Sequence, residues 1–79
     1  MPKESAYFTV ENFKDSRDAK RIKNGLGTIH GVTSVSVNTH DRRVAVDFDN
    51  SGTSHDRIEH RLCSLGYQIT AQSGEEHIM

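Results

Sequence analysis

Apolar residues recur in this chain with two different rhythms, and their alternation predicts an α+β fold. Two segments space them by three and four residues: Ala19-Ile22-Leu26-Ile29 and Ile58-Leu62-Leu65. Between and around these lie short runs in which every second residue is apolar, centred on Phe8-Val10, Val35-Val37 and Val44-Val46-Phe48. The first rhythm buries one stripe of a helix and the second buries one face of a strand. Read in order, with a short last strand at Tyr67–Thr70, the segments spell β-α-β-β-α-β.

The first strand is expected from Ala6 to Val10, with Phe8 and Val10 inward and Tyr7 and Thr9 outward. Residues 1–5 are expected to be a disordered N-terminus, because nothing apolar anchors them. Helix 1 should open at Asp15 or Ser16, where a short polar side chain can cap the first N–H groups. Its wet side carries Lys20, Arg21, Lys23 and Asn24; Gly25 weakens its last turn and Gly27 ends it. Strand 2 is expected over Val32–Asn38 and strand 3 over Arg43–Phe48, joined by a hairpin at His40, Asp41 and Arg42. Asp49-Asn50-Ser51-Gly52 is a turn, and Thr53 or Ser54 caps helix 2 with Asp56 in its first turn. Gly66 ends that helix, Tyr67–Thr70 is a short last strand, and 72–79 is a flexible tail, leaving 6–71 as the domain. Two right-handed crossovers place both helices on one face of a four-stranded antiparallel sheet. This is a ferredoxin-like βαββαβ sandwich whose second sheet face is polar, an architecture that hosts many unrelated functions.

With 79 residues and a net charge of −1, the chain is one small domain with no overall pull toward nucleic acid or anionic membrane. Its one cysteine, Cys63, excludes an intrachain disulfide, so the fold stands on packing, as suits a reducing compartment. No apolar run approaches the ~20 residues of a membrane span, and the start has no signal-peptide core. A soluble cytoplasmic protein is expected, without membrane insertion.

Several stretches together are similar to one family. Val10-Glu11, Ile22, Leu26, Gly31-Val32, Ser34-Val35-Ser36-Val37-Asn38, Val44 to Asp49, Ser54, Ile58, Leu62 and Gly66-Tyr67 resemble the heavy-metal-associated domain over about residues 6 to 70. That is the fold of bacterial copper chaperones and of N-terminal domains of copper and zinc P-type ATPases. The resemblance implies a metal-trafficking module that meets protein partners, among them a metal-transporting ATPase or another metal-handling protein. It also exposes a departure. The family's metal loop reads Gly-Met-x-Cys-x-x-Cys, whereas here Asn12-Phe13-Lys14-Asp15-Ser16-Arg17-Asp18 stand in line. Both thiolate positions are carboxylates, and Phe13 takes the Met position, where it should plug the core beneath the loop. Cu(I) prefers sulfur, so Cu(I) is not expected and no cofactor is expected.

Asp15 and Asp18 have two readings. As caps, they satisfy orphan N–H groups and complement the helix dipole. As ligands, they form a weak site for a hard divalent ion with loop carbonyls and water. His60 and Cys63, with His55 a turn earlier, have spacing that suits Zn²⁺ but lack further ligands nearby; the competing reading is surface His and Cys, with Cys63 open to oxidative dimerisation. Asp47-x-Asp49-x-Ser51-Gly52 matches the first half of a calcium loop, but Ile58 stands where the bidentate Glu belongs, so a turn is expected. Lys14, Arg17, Lys20, Arg21 and Lys23 cluster along helix 1, either as a solvated face or as a docking surface for an acidic partner. RNA binding by the open sheet face needs outward aromatics, and only Tyr7 qualifies. No catalytic constellation or phosphate loop is present, so no enzyme activity is expected. The leading expectation is a non-catalytic docking module with a degenerate metal loop, monomeric or weakly dimeric. The alternatives are a carrier using other ligands and a ligand-sensing dimer.

Overall fold

The computed structural model describes residues 3–77, and side chains for 3–74. Six elements follow in the expected order: β1 (Lys3–Val10), α1 (Ser16–Gly27), β2 (Val32–Asn38), β3 (Arg43–Asp49), α2 (His55–Ser64) and β4 (Ile69–His77). The strands form one sheet in the order β2-β3-β1-β4, and every neighbouring pair is antiparallel. This is the ferredoxin-like βαββαβ sandwich.

The inward rows follow the strand period. Ala6, Phe8 and Val10 from β1 and Val44, Val46 and Phe48 from β3 are fully buried under Ile22 and Leu26 of α1 and Ile58 and Leu62 of α2. The two central strands thus supply the floor of the core. β2, at an edge, contributes only half-buried Val32, Val35 and Val37. Tyr7 and Thr9 lie on the other face, as their alternation requires.

Four boundaries differ from the sequence expectation. β1 begins at Lys3: Lys3, Glu4 and Ser5 pair with Asp49, Phe48 and Asp47, and the buried Ser5 donates its hydroxyl to Asp47 at 2.6 Å. β4 begins two residues later than expected and runs to His77, pairing along β1 from Val10 back to Lys3. A backbone ladder needs no apolar side chains, so a polar run beside a long central strand extends as far as that strand does. Residues 1, 2, 78 and 79 lie outside the described residues. The third difference is at Gly27, which is the last helical residue of α1 and not its left-handed stop. Thr28 caps the helix in the right-handed region, and the left-handed turn comes at Gly31, φ +98°. A Cβ on Gly31 would lie 2.8 Å from the Gly52 carbonyl carbon, so the α1–β2 and β3–α2 connections touch through two glycines. Finally, β3 extends one residue further, to Asp49, whose N–H donates to the Gly31 carbonyl.

Gly25 also has a packing role. A Cβ there would meet a terminal methyl of Leu65 at 2.6 Å, so a larger residue would make the Leu65 side chain turn aside. No described helix is long and apolar enough to cross a membrane.

Candidate functional site

The connection from β1 to α1, residues 11–15, turns the chain from the sheet into a helix N-terminus; it ends on Asp15, and Asp18 follows in the first turn of α1. Phe13 is buried in the core cluster, so the loop is anchored from beneath by an aromatic ring. Asn12 fastens it from the side. Its amide donates to the Gly66 carbonyl at 2.8 Å and its carbonyl accepts from the Gln68 N–H at 2.9 Å, while Glu11 N–H donates to Gln68 at 2.9 Å. Gly66, with φ +97°, turns the chain at the end of α2 and offers that carbonyl.

Asp15 is the N-cap of α1 in an extended conformation, and its Oδ1 accepts from the Arg17 N–H at 2.9 Å. Asp18, three residues on, completes a capping box by returning its carboxylate to the Asp15 N–H at 3.4 Å. The same Oδ2 accepts from the Lys14 N–H at 2.8 Å, and Oδ1 accepts from the buried Tyr67 hydroxyl at 2.6 Å. Both oxygens of Asp18 are therefore engaged, one with the loop backbone and one with the connection between α2 and β4.

The electrostatics agree with this geometry. The Tyr67 hydroxyl, then the Lys14 and Asp15 N–H groups and the Lys14 charge, hold the Asp18 carboxyl below the ordinary aspartate range, against a smaller opposing effect of burial. The phenol is pushed the other way, from 10.0 to about 12, first by burial and then by its bond to the Asp18 carboxylate and that carboxylate's charge. Each group favours its partner's ordinary state.

The other sequence candidates do not converge. His60 lines a groove with Ile29, Arg57 and Arg61, whereas Cys63 lines a different one with Asn12, Glu59 and Gln68, so the two residues face apart. His55 bonds Gln72 at 2.7 Å and packs its ring against Phe8 at 5.1 Å. Among the described residues no group of three or more His, Cys, Asp or Glu side chains is arranged to hold a metal ion. In the half calcium motif, Asp47 accepts from Ser5 while Asp49 accepts from the N–H and hydroxyl of Ser51 and carries the turn. Ser51 in turn lowers the Asp49 pKa. Lys14, Arg17, Lys20, Arg21 and Lys23 are all exposed. Asn12 and Tyr67 are the residues sequence reasoning missed at this corner. The sequence pattern places Tyr67 in the last strand, whereas it lies just ahead of β4, and only the Gly66-Tyr67 pair marks the position in the sequence.

No protein-family model matches the sequence, and no curated protein matches it. Solved structures do. A CopA variant with copper from Bacillus subtilis matches at 28% identity and a TM-score of 0.71, over 85% of this chain and 88% of that one. A CopZ metallochaperone matches at 24% identity and a TM-score of 0.80, over 84% and 98%. A copper-binding domain of a P-type ATPase matches at 21% identity and a TM-score of 0.75, over 92% and 99%. The fold of this chain is therefore the one found in heavy-metal-associated domains.

Proposed function

We propose that this chain is a metal-trafficking-type module whose metal loop is degenerate, and that it works as a non-catalytic docking domain. The observation that carries the reading is the state of Asp18. If Asp15 and Asp18 stand where the resembling domains carry their thiolates, one of the pair has both oxygens spent on hydrogen bonds within the fold. Carboxylates are hard donors, and Cu(I) selects soft thiolates, so the donor set does not suit a cuprous cargo. A hard divalent ion suits oxygen donors better, but at Asp18 it would compete with the Tyr67 hydroxyl and the Lys14 N–H for the carboxylate's charge.

What the corner keeps is shape and charge. The loop is pinned by Phe13 and Asn12, and the exposed cations Lys14, Arg17, Lys20, Arg21 and Lys23 surround the helix that leaves it. An acidic protein surface, such as that of a metal-handling partner in the same compartment, is the complement of such a face.

Two experiments test the halves of this reading. In anaerobic competition with a Cu(I) chelator, the chain should take up no copper, whereas Asp15→Cys with Asp18→Cys should gain uptake. Stoichiometric copper on the unaltered chain would overturn the degenerate-loop reading. For docking, partners recovered by affinity capture should be lost when Lys20 and Lys23 are changed to Glu. Undiminished recovery would remove the helix 1 surface from the account.

A further inference from the structure

A second surface, on the outer side of α2, is built differently from the α1 face. Arg57 and Arg61 lie one helical turn apart, and His60 and Ser64 repeat that spacing on the adjoining ridge. With Asp56 and the half-buried Ile29 from the α1–β2 connection they line an open groove of about 490 Å³. That size falls within the roughly 300–1,000 Å³ of ordinary ligand sites. Ile29 is held in place, since its N–H donates to the Leu26 carbonyl at 3.1 Å and its side chain packs on the core cluster. The Ser64 hydroxyl is turned back to the Arg61 carbonyl at 2.8 Å and so is not offered to the groove. Neither guanidinium has a hydrogen-bond or carboxylate partner among the described residues. Two fork-shaped cations thus share the groove with one aliphatic wall.

We propose that this groove binds an acidic peptide segment of a protein partner, one that places an aliphatic side chain against Ile29 and carboxylates on Arg57 and Arg61. A planar guanidinium pairs with a carboxylate through two parallel hydrogen bonds, which gives direction as well as charge. The aliphatic wall supplies the desolvated contact that a purely ionic patch lacks. The groove offers two guanidiniums beside one carboxylate, Asp56, and not a continuous basic track, so it suits a peptide with spaced carboxylates better than the unbroken charge of a nucleic-acid backbone. The groove is separate from the acidic loop, so it stands or falls independently of the degenerate-loop reading.

The probe is a hexapeptide, Glu-Leu-Glu-Glu-Leu-Glu, blocked at both ends and titrated into the ¹⁵N-labelled full chain while backbone amide shifts are followed. Saturable shifts are expected at Ile29 and along Arg57 to Ser64, weakening as ionic strength rises. Arg57→Gln with Arg61→Gln should weaken binding by about tenfold or more, the scale of one lost charge-assisted contact. Ile29→Thr should weaken it too, and the Gln-Leu-Gln-Gln-Leu-Gln peptide should not bind. Lys20→Gln with Lys23→Gln should leave the shifts in place. Shifts centred on α1, binding that survives the double arginine change, or no response to the acidic peptide at low salt would each overturn the proposal. The dispersion of the amide spectrum of each variant reports whether it has folded.

Discussion

The bond between Tyr67 and Asp18 can be read out directly, because it ties a phenol's ionisation to a carboxylate from the other end of the chain. Its pKa stands at about 12 in the folded protein against 10.0 for a free tyrosine. Two units correspond to about 2–3 kcal/mol of linkage at roughly 1.4 kcal/mol per unit. A tyrosine raised in this way keeps its proton longer when folded than when unfolded. Its contribution is therefore fully present below pH 10 and is lost as the pH climbs from 10 toward 12. Burial is the largest cause, with the Asp18 hydrogen bond and charge behind it. Asp18→Asn should consequently lower the Tyr67 pKa without returning it to 10, and flatten the alkaline loss of stability. The assay is phenolate absorbance against pH in a Tyr7→Phe background, where Tyr67 is the remaining tyrosine, paired with urea midpoints at each pH. If Asp18→Asn leaves both the titration and the alkaline slope unmoved, the carboxylate does not hold the phenol and the case for a spent Asp18 fails.

Three further outcomes follow from the same geometry. Thr53 buries its hydroxyl with no hydrogen-bond partner among the described residues, so Thr53→Val should raise stability by about 1 kcal/mol, read as a higher urea midpoint at constant slope. Gly31→Ala forces a side chain into the left-handed region and onto the Gly52 backbone, and should cost more than about 1 kcal/mol in the same assay. Asp18 and Asp49 both have lowered pKa values, so their contribution is complete above the free aspartate value of 3.8 and should fade as the pH falls below it. Acid titration of the two carboxyls by NMR checks this, with Asp49 recovering toward the free value in Ser51→Ala.

Much of the architecture was legible because local pattern and global packing agree in this chain. Phe8 and Val10, Val44 to Phe48, Ile22 with Leu26, and Ile58 with Leu62 are apolar at the period of their element, and each is buried where that period puts it. The caps were legible for the same reason, since Asp15 and Ser54 are short acceptors just ahead of an apolar stripe. The lengths of β1 and β4 were not. Lys3 to Ser5 and Gln72 to Gly74 are extended because their backbones pair with partners far along the chain, and side-chain pattern carries no mark of that. The corner's wiring was hidden too. Asn12 meets Gly66 across 54 residues of sequence, and Asp18 meets Tyr67 across 49.

Those two long-range contacts change what the acidic corner means. A loop that passes a metal ion onward needs donor lone pairs that are free between partners, and backbone that yields as the ion moves. Here the lone pairs of Asp18 are directed at the Tyr67 hydroxyl and at the Lys14 and Asp15 N–H groups, and the loop is fixed by Asn12 on one side and Phe13 below. Each of these contacts rigidifies the N-terminus of α1 without any ion. Rigidity at that point also fixes the direction in which Arg17, Lys20 and Arg21 leave the helix. A preset array of cations loses less entropy on meeting an acidic surface than one that must first be ordered. The hydrogen bonds that engage both oxygens of Asp18 are thus the same ones that would support the proposed docking face.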